Sequence, residues 1–257
     1  MTDLSSDSEL VPAPKLPPLQ GDERFAGVDA TVLDFWGFAM SDLRMNNTRG
    51  YLAEFLVARA LGVDARRVEW DDYDVLWGVV KIEVKSSAYL QPWPQRAPSQ
   101  IKFSGLRRRS WDDTTAKRSE DKTYKADVYV LSVHTTRHHD LYDPLDVSSW
   151  AFYVLPRARL AELNVESLSL ATVAGITAPV DYGGLAWAIA EAAWGTPQYW
   201  RRHGTYFKFT GVREYILRPD GWVLYDVSKS GPSWWRVSGE VDAEIINETD
   251  LPPGTPR

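Results

Sequence analysis

The sequence predicts a mixed α/β domain over residues 25–195, followed by a small β appendage over residues 196–248. Three observations lead there. A helical segment with a cap and a stop precedes a run of short β-branched and aromatic strands. A second helical segment closes that series. Beyond Gly195 the chain breaks into short strand-like runs with turn residues between them.

Residues 1–24 are polar, with Pro12, Pro14, Pro17 and Pro18 close together, and are expected to form a disordered tail. Thr48 can cap a helix that runs to about Leu61, where Gly62 supplies the stop. Two strands, Tyr73 to Trp77 and Val80 to Ser86, meet around Gly78. Ala126 to His134 and Trp150 to Leu155 are apolar, β-branched and aromatic runs of strand length. Leu160 and Leu163 suit a short helix, and Tyr182 to Trp194 carries Leu185, Ala188, Ile189 and Ala192 at helical spacing. In the appendage, Tyr206 to Thr210, Arg213 to Leu217, Trp222 to Val227 and Trp234 to Val237 read as strands. Pro219-Asp220-Gly221 forms a turn between two of them. Residues 249–257, with Pro252, Pro253 and Pro256, read as a second disordered tail.

Cysteine is absent, which excludes disulfides and thiolate-bound zinc. No apolar run approaches the length of a membrane span, and the first residues lack the apolar core of a signal peptide. A cytoplasmic location without membrane partners is the expectation. The net charge of −6 is unevenly spread. Residues 96–125 hold nine basic side chains against four acids, a net of +5, which leaves −11 for the rest. Such segregation gives a protein one phosphate-facing surface, with Lys102, Arg107, Arg108, Arg109, Lys117 and Arg118 as its contacts; a solvated basic loop accounts for the charge equally well.

The chemistry is concentrated in Asp74 to Ser87, DVLWGVVKIEVKSS. If Gly78-Val79 is a two-residue loop, Trp77 faces Val80, Leu76 faces Lys81, Val75 faces Ile82 and Asp74 faces Glu83. Directly opposed residues lie about 4.5–5.5 Å apart at Cβ, so the two carboxylates would repel unless a proton or a cation sat between them. A three-residue loop would separate them. Alternation sends Val80, Ile82 and Val84 to the core, and puts Lys81, Glu83 and Lys85 on the face that carries Asp74. A half-exposed salt-bridged hairpin would show the same pattern. Glu54 adds weight, because it sits in a helix whose Leu52, Phe55, Leu56, Val57 and Leu61 make it look largely enclosed. Its partner is a basic side chain or the same site.

Glu54 on a helix, Tyr73-Asp74, and Glu83-Val84-Lys85 followed by Ser86 together resemble the PD-(D/E)XK nuclease superfamily. The proline of the family motif is replaced by Tyr73, and Asp71 and Asp72 are rivals for the first acid. The resemblance covers residues 45–90 by motif and extends to about 195 by element order. It implies a mixed central sheet flanked by helices, in the restriction-endonuclease-like arrangement, and hydrolysis of phosphodiester bonds with Mg²⁺, for which Mn²⁺ can substitute. On that analogy Asp74, Glu83 and the Val84 carbonyl bind the metal, Lys85 assists the attacking water, and Glu54 supports the site. Gln91 is the glutamine that follows the lysine motif in related nucleases; leaving a strand as a plain polar residue is its other reading.

The expected activity is DNA endonuclease, in restriction, phage defence or repair. A non-catalytic nucleic-acid- or protein-binding module and a nuclease acting on RNA are the alternatives, and a homodimer or larger assembly is open to the chain. His134, His138 and His139 are read as a polar loop, not a zinc site. The tryptophan-rich stretches Trp200 to His203 and Trp234 to Arg236 are read as appendage core in preference to base-stacking surfaces.

Overall fold

The computed structural model describes residues 16–64, 67, 72–112, 117–195, 198–210, 213–225 and 243–255. It is a mixed α/β structure with several sheets and few helices. The principal sheet has the order β1-β2-β6-β7, formed by β1 (Val75–Trp77), β2 (Val80–Ala88), β6 (Val128–His134) and β7 (Trp150–Pro156). β2 and β6 run parallel, whereas the two outer pairs are antiparallel. A parallel pair needs a long crossover. Here that crossover holds β3 (Lys102–Ser104) and the two-stranded arm of β4 (Arg108–Asp112) and β5 (Lys117–Thr123).

Both faces of the sheet are covered, because alternate residues along each strand bury on opposite sides. Ile82, Val84, Val128, Val130, Phe152 and Val154 pack with Ala53, Leu56 and Val57 of α2 (Asn46–Ala60) and with Leu185 and Ile189 of α5 (Leu185–Trp194). Tyr129, Leu131, Val133, Tyr153 and Leu155 pack on the other side with Leu160 of α3 (Arg157–Leu163) and Val173 of α4 (Leu170–Ala174). Phe103 of β3 joins them, and β3 itself pairs with β8 (Ser167–Ser169).

Several elements differ from the sequence expectation. Thr48 does not cap α2; Met45 occupies the cap, and the Thr48 hydroxyl donates to the Asp42 carbonyl at 2.6 Å. A helix that went unread, α1 (Val32–Met40), begins with a capping box between Thr31 and Asp34. Leu33 N donates to the Gly21 carbonyl and Val32 N to that of Glu23, both at 2.9 Å, so the chain is already tied down at Gly21. His134 lies at the buried end of β6 and stacks on Tyr142 with ring centroids 4.0 Å apart, which makes it core and not loop.

The appendage is a five-stranded antiparallel sheet. Its order is β12 (Gly221–Leu224), β11 (Arg213–Arg218), β10 (Thr205–Thr210), β9 (Gln198–Arg202) and β13 (Ala243–Ile246). Its core of Trp200, Phe207, Phe209 and Ile216 packs on Trp187 and Trp194 of α5. Trp200 is therefore a core residue, and Trp234 to Arg236 lie outside the described residues.

Candidate active site

The hairpin has the two-residue loop on which the site depends. Gly78 takes φ 60° while Val79 stays out of the positive region, the combination that a Gly-first type II′ turn requires. The pairing is Val75 with Ile82, Leu76 with Lys81 and Trp77 with Val80. The ladder stops at Val75 with Ile82, and Asp74 stands just outside it, so the expected pairing of Asp74 with Glu83 is not formed. There the ladder ends in a side-chain contact. Asp74 N donates to the Ile82 carbonyl at 2.9 Å, and Asp74 Oδ2 accepts from Val84 N at 2.7 Å. A strand residue sends its N–H and C=O to the same edge, so the Val84 carbonyl faces the Asp74 side, beyond the last paired residue of β1.

Glu83 is only 1% exposed, far more enclosed than a half-exposed hairpin position. Lys85 contacts its Oε1 and Arg108 its Oε2. Burial and the neighbouring Asp74 carboxylate hold the Glu83 carboxyl above the usual range, against the opposing pull of Lys85 and Arg108. Glu54 approaches from α2 and accepts from Arg67 at 2.7 Å. Its carboxyl is pushed up to about 7, first by burial and then by Asp74, with Arg67 and Lys85 acting the other way. Glu54, Asp74, Glu83 and Lys85 thus form one electrostatic group, assembled from a helix and the two strands of a hairpin.

A raised carboxyl pKa means that the folded protein holds a proton which the unfolded chain releases. Stability should therefore fall as pH rises from about 4.5 to about 7. Glu54→Gln removes that penalty and is expected to raise the melting temperature at pH 8, by up to ~3 kcal/mol of stability, with no gain at pH 4.5. Thermal scans of both proteins at the two pH values would show it, and an equal shift at both would assign the effect to packing.

The helix is enclosed on one side only. Phe55 is 52% exposed and, with Tyr51, Tyr73, Glu54 and Asp74, lines an open cavity of 590 Å³. Among the described residues no set of three or more acidic, histidine or cysteine side chains is gathered as a metal cluster. The donors that fit an ion are the Asp74 and Glu83 carboxylates and the Val84 carbonyl. This oxygen-only set suits Mg²⁺ or Mn²⁺. The raised Glu54 and Glu83 carboxyls fit a cation too, since one between the acids would relieve their repulsion.

The remaining candidates are dispersed. Gln91 is buried, but its amide nitrogen contacts the Ala88 carbonyl at 3.3 Å and Ser99 Oγ at 3.4 Å, within its own loop. Arg107 fastens the base of the arm, donating to the Lys122 carbonyl at 2.7 Å and to Asn164 Oδ1 at 3.1 Å. Arg108 turns to the Glu83 carboxylate, with 38% of its side chain exposed. Arg109 and Lys102 are exposed. Lys117 and Arg118 belong to the β5 backbone, but their side chains lie outside the described residues, as does Asp71. No helix among the described residues is long and apolar enough to cross a membrane.

The role of Arg108 had a signal in the sequence. Arg108 opens β4 and Arg109 follows it, so alternation sends these two side chains to opposite faces, one to Glu83 and the other to solvent. No family model matches the chain, and neither a curated protein nor a solved structure does.

Proposed function

We propose that the chain is a metal-dependent nuclease of the PD-(D/E)XK type, with a restriction-endonuclease-like core, that hydrolyses phosphodiester bonds of DNA. The observation that supports this best is the meeting of Asp74, Glu83 and Lys85 on one hairpin with Glu54 coupled to them. Asp74, Glu83 and the Val84 carbonyl would hold Mg²⁺, which when bound supplies Lewis-acid polarisation of the scissile phosphate. Lys85 orients the attacking water and offsets the negative charge that gathers on phosphorus oxygens. Glu54, with a carboxyl pKa of about 7, can accept or hold a proton beside Asp74 near neutral pH. Arg108 must leave Glu83 for the ion to reach Oε2, and its side chain, 38% exposed, has solvent to turn into.

A second reading draws on that same contact. A buried acid neutralised by two cations is also how a purely structural ion pair looks, which favours a binding module without catalysis. One experiment separates the two. Plasmid and linear DNA are incubated with the protein and Mg²⁺ or Mn²⁺, with a chelator control. Chelator-sensitive cutting supports the nuclease, and its absence with every divalent cation tried leaves only the binding module.

DNA affinity provides a further test. Arg107 and Arg108 have protein partners, so the phosphate contacts are assigned to Arg109 and Lys102. Replacing Arg109 and Lys102 together by alanine should reduce the log–log salt slope by roughly 0.9 per residue on duplex DNA, or about 0.7 on a single strand, whatever the sequence. Arg107→Ala should leave the slope unchanged and loosen the arm. Salt titrations in Ca²⁺, where cutting is suppressed, would measure both; an unchanged slope in the double variant would move the phosphate path elsewhere.

A further inference from the structure

We propose, resting on the nuclease reading above, that the cavity beside Glu54 and Asp74 takes unstacked bases of single-stranded DNA, so that the substrate is a single strand or a locally opened duplex.

Four observations converge on this. Tyr51, Phe55 and Tyr73 all line one cavity whose acidic edge is Glu54 and Asp74. Each ring already carries a cation on a face: Arg67 stands 4.5 Å from the Tyr51 centroid, Arg59 5.2 Å from that of Phe55, and Lys81 5.9 Å from that of Tyr73. Aromatic faces interleaved with cations are the surface on which bases stack beside their phosphates. Second, Phe55 is half in water on the lining of this cavity, so its ring is open to a ligand. Third, Tyr51 and Phe55 are one helical turn apart on α2, about 6 Å along the axis, so they address neighbouring positions of one strand. Fourth, the trough continues. A second cavity of 470 Å³ shares Tyr51 and Met40 with the first and is lined also by Trp93, which is 52% exposed. A 590 Å³ cavity falls in the range of about 300–1,000 Å³ that takes small ligands, which suits an extruded base and not the body of a duplex.

The order along α2 fixes the geometry. Tyr51 lines both cavities and Phe55, Glu54 and Asp74 line the first, so bases stacked on Tyr51 and Phe55 lie beside Asp74. Base–ring stacking tolerates any sequence because every base offers a planar face. The inference therefore predicts preference for strand state without preference for sequence.

The test titrates labelled single-stranded DNA, its duplex and the same sequence as single-stranded RNA with the whole protein in Ca²⁺. A 2-aminopurine within the DNA reports stacking. Wild-type protein should bind the single-stranded DNA at least ~10-fold more tightly than the duplex and quench the probe. Phe55→Ala and Tyr51→Ala should each weaken single-strand binding by roughly tenfold, with duplex affinity unchanged, and Phe55→Trp should restore it. Both side chains are exposed, so neither truncation opens a core cavity. Equal affinity for strand and duplex, or no loss in either alanine variant, would overturn the inference while leaving chelator-sensitive cutting intact. Tighter binding of RNA would overturn the choice of DNA. Stacking that depends on Phe55, in a protein that cuts nothing, would sustain the cavity and remove the nuclease.

Discussion

Lys85→Ala is expected to lower DNA cleavage by about 10²- to 10³-fold while leaving the fold and DNA affinity nearly intact. The argument is positional. Lys85 follows Glu83 by two residues on β2, so both point to one face, and its ammonium lies between the buried Glu83 carboxylate and the field of Glu54. Arg108 remains on the other Glu83 oxygen when Lys85 is removed. The stability cost should thus stay within ~1 kcal/mol, typical of a partly exposed ion pair. Lys85→Arg should not rescue the rate, because a planar fork cannot put a point charge where the ammonium was. Single-turnover cleavage, read alongside melting temperature and affinity, separates a lost chemical role from a lost fold. Undiminished cutting in the alanine variant would remove the central proposal.

Removing both cations is a different matter. Lys85→Ala combined with Arg108→Ala is expected to cost about 3 kcal/mol at pH 8, the lower end of what breaking a buried ion pair costs. Glu83 is buried and keeps Asp74 beside it, so nothing offsets its charge once both partners are gone. The lower end applies because the lost cations are themselves partly exposed, at 26% and 38% of their side chains. Each single change leaves one partner, so the two losses should not add. Glu83 already has a raised carboxyl pKa, and the double variant raises it further. Its deficit should therefore shrink as pH falls and the carboxyl takes up its proton, and adding Glu83→Gln should recover much of the loss. Urea unfolding at pH 5 and pH 8 gives the answer. A deficit equal to the sum of the single variants, and independent of pH, would mean that Glu83 is solvated and that the pairing counts for little.

The parts of this site that could be read from sequence are those fixed over a few residues. Gly78 dictates a two-residue loop, and alternation along β2 determines that Glu83 and Lys85 share a face. The stop of α2 at Gly62, with φ 66°, is equally local. α1 escaped because VLDFWGFAM is apolar almost throughout and shows no polar face at helical period, although the Thr31 and Asp34 cap stood in front of it. The Arg108 contact is not local: the residue meets Glu83 across 25 residues, through an arm that the crossover places. The enclosure of Glu83 depends on β6 pairing alongside it, a contact that no local pattern contains.

That parallel pairing has a kinetic consequence. Lys81 and Asp127 are hydrogen-bonded partners 46 residues apart, and closing a flexible loop of that length costs about 3 kcal/mol of chain entropy before any contact repays it. The β1–β2 hairpin needs no such closure, and hairpins form in about 1–10 μs. Asp74 and Glu83 are therefore neighbours in the sequence of folding events before β6 arrives and before the crossover delivers Arg108. During that interval Asp74, Glu83 and Lys85 share the hairpin in water, where charges interact weakly. Desolvation comes last, with the cation already covalently bound to the segment that causes it. The crossover thus adds Arg108, the second counter-charge, to the Lys85 already on the hairpin as the acid is buried.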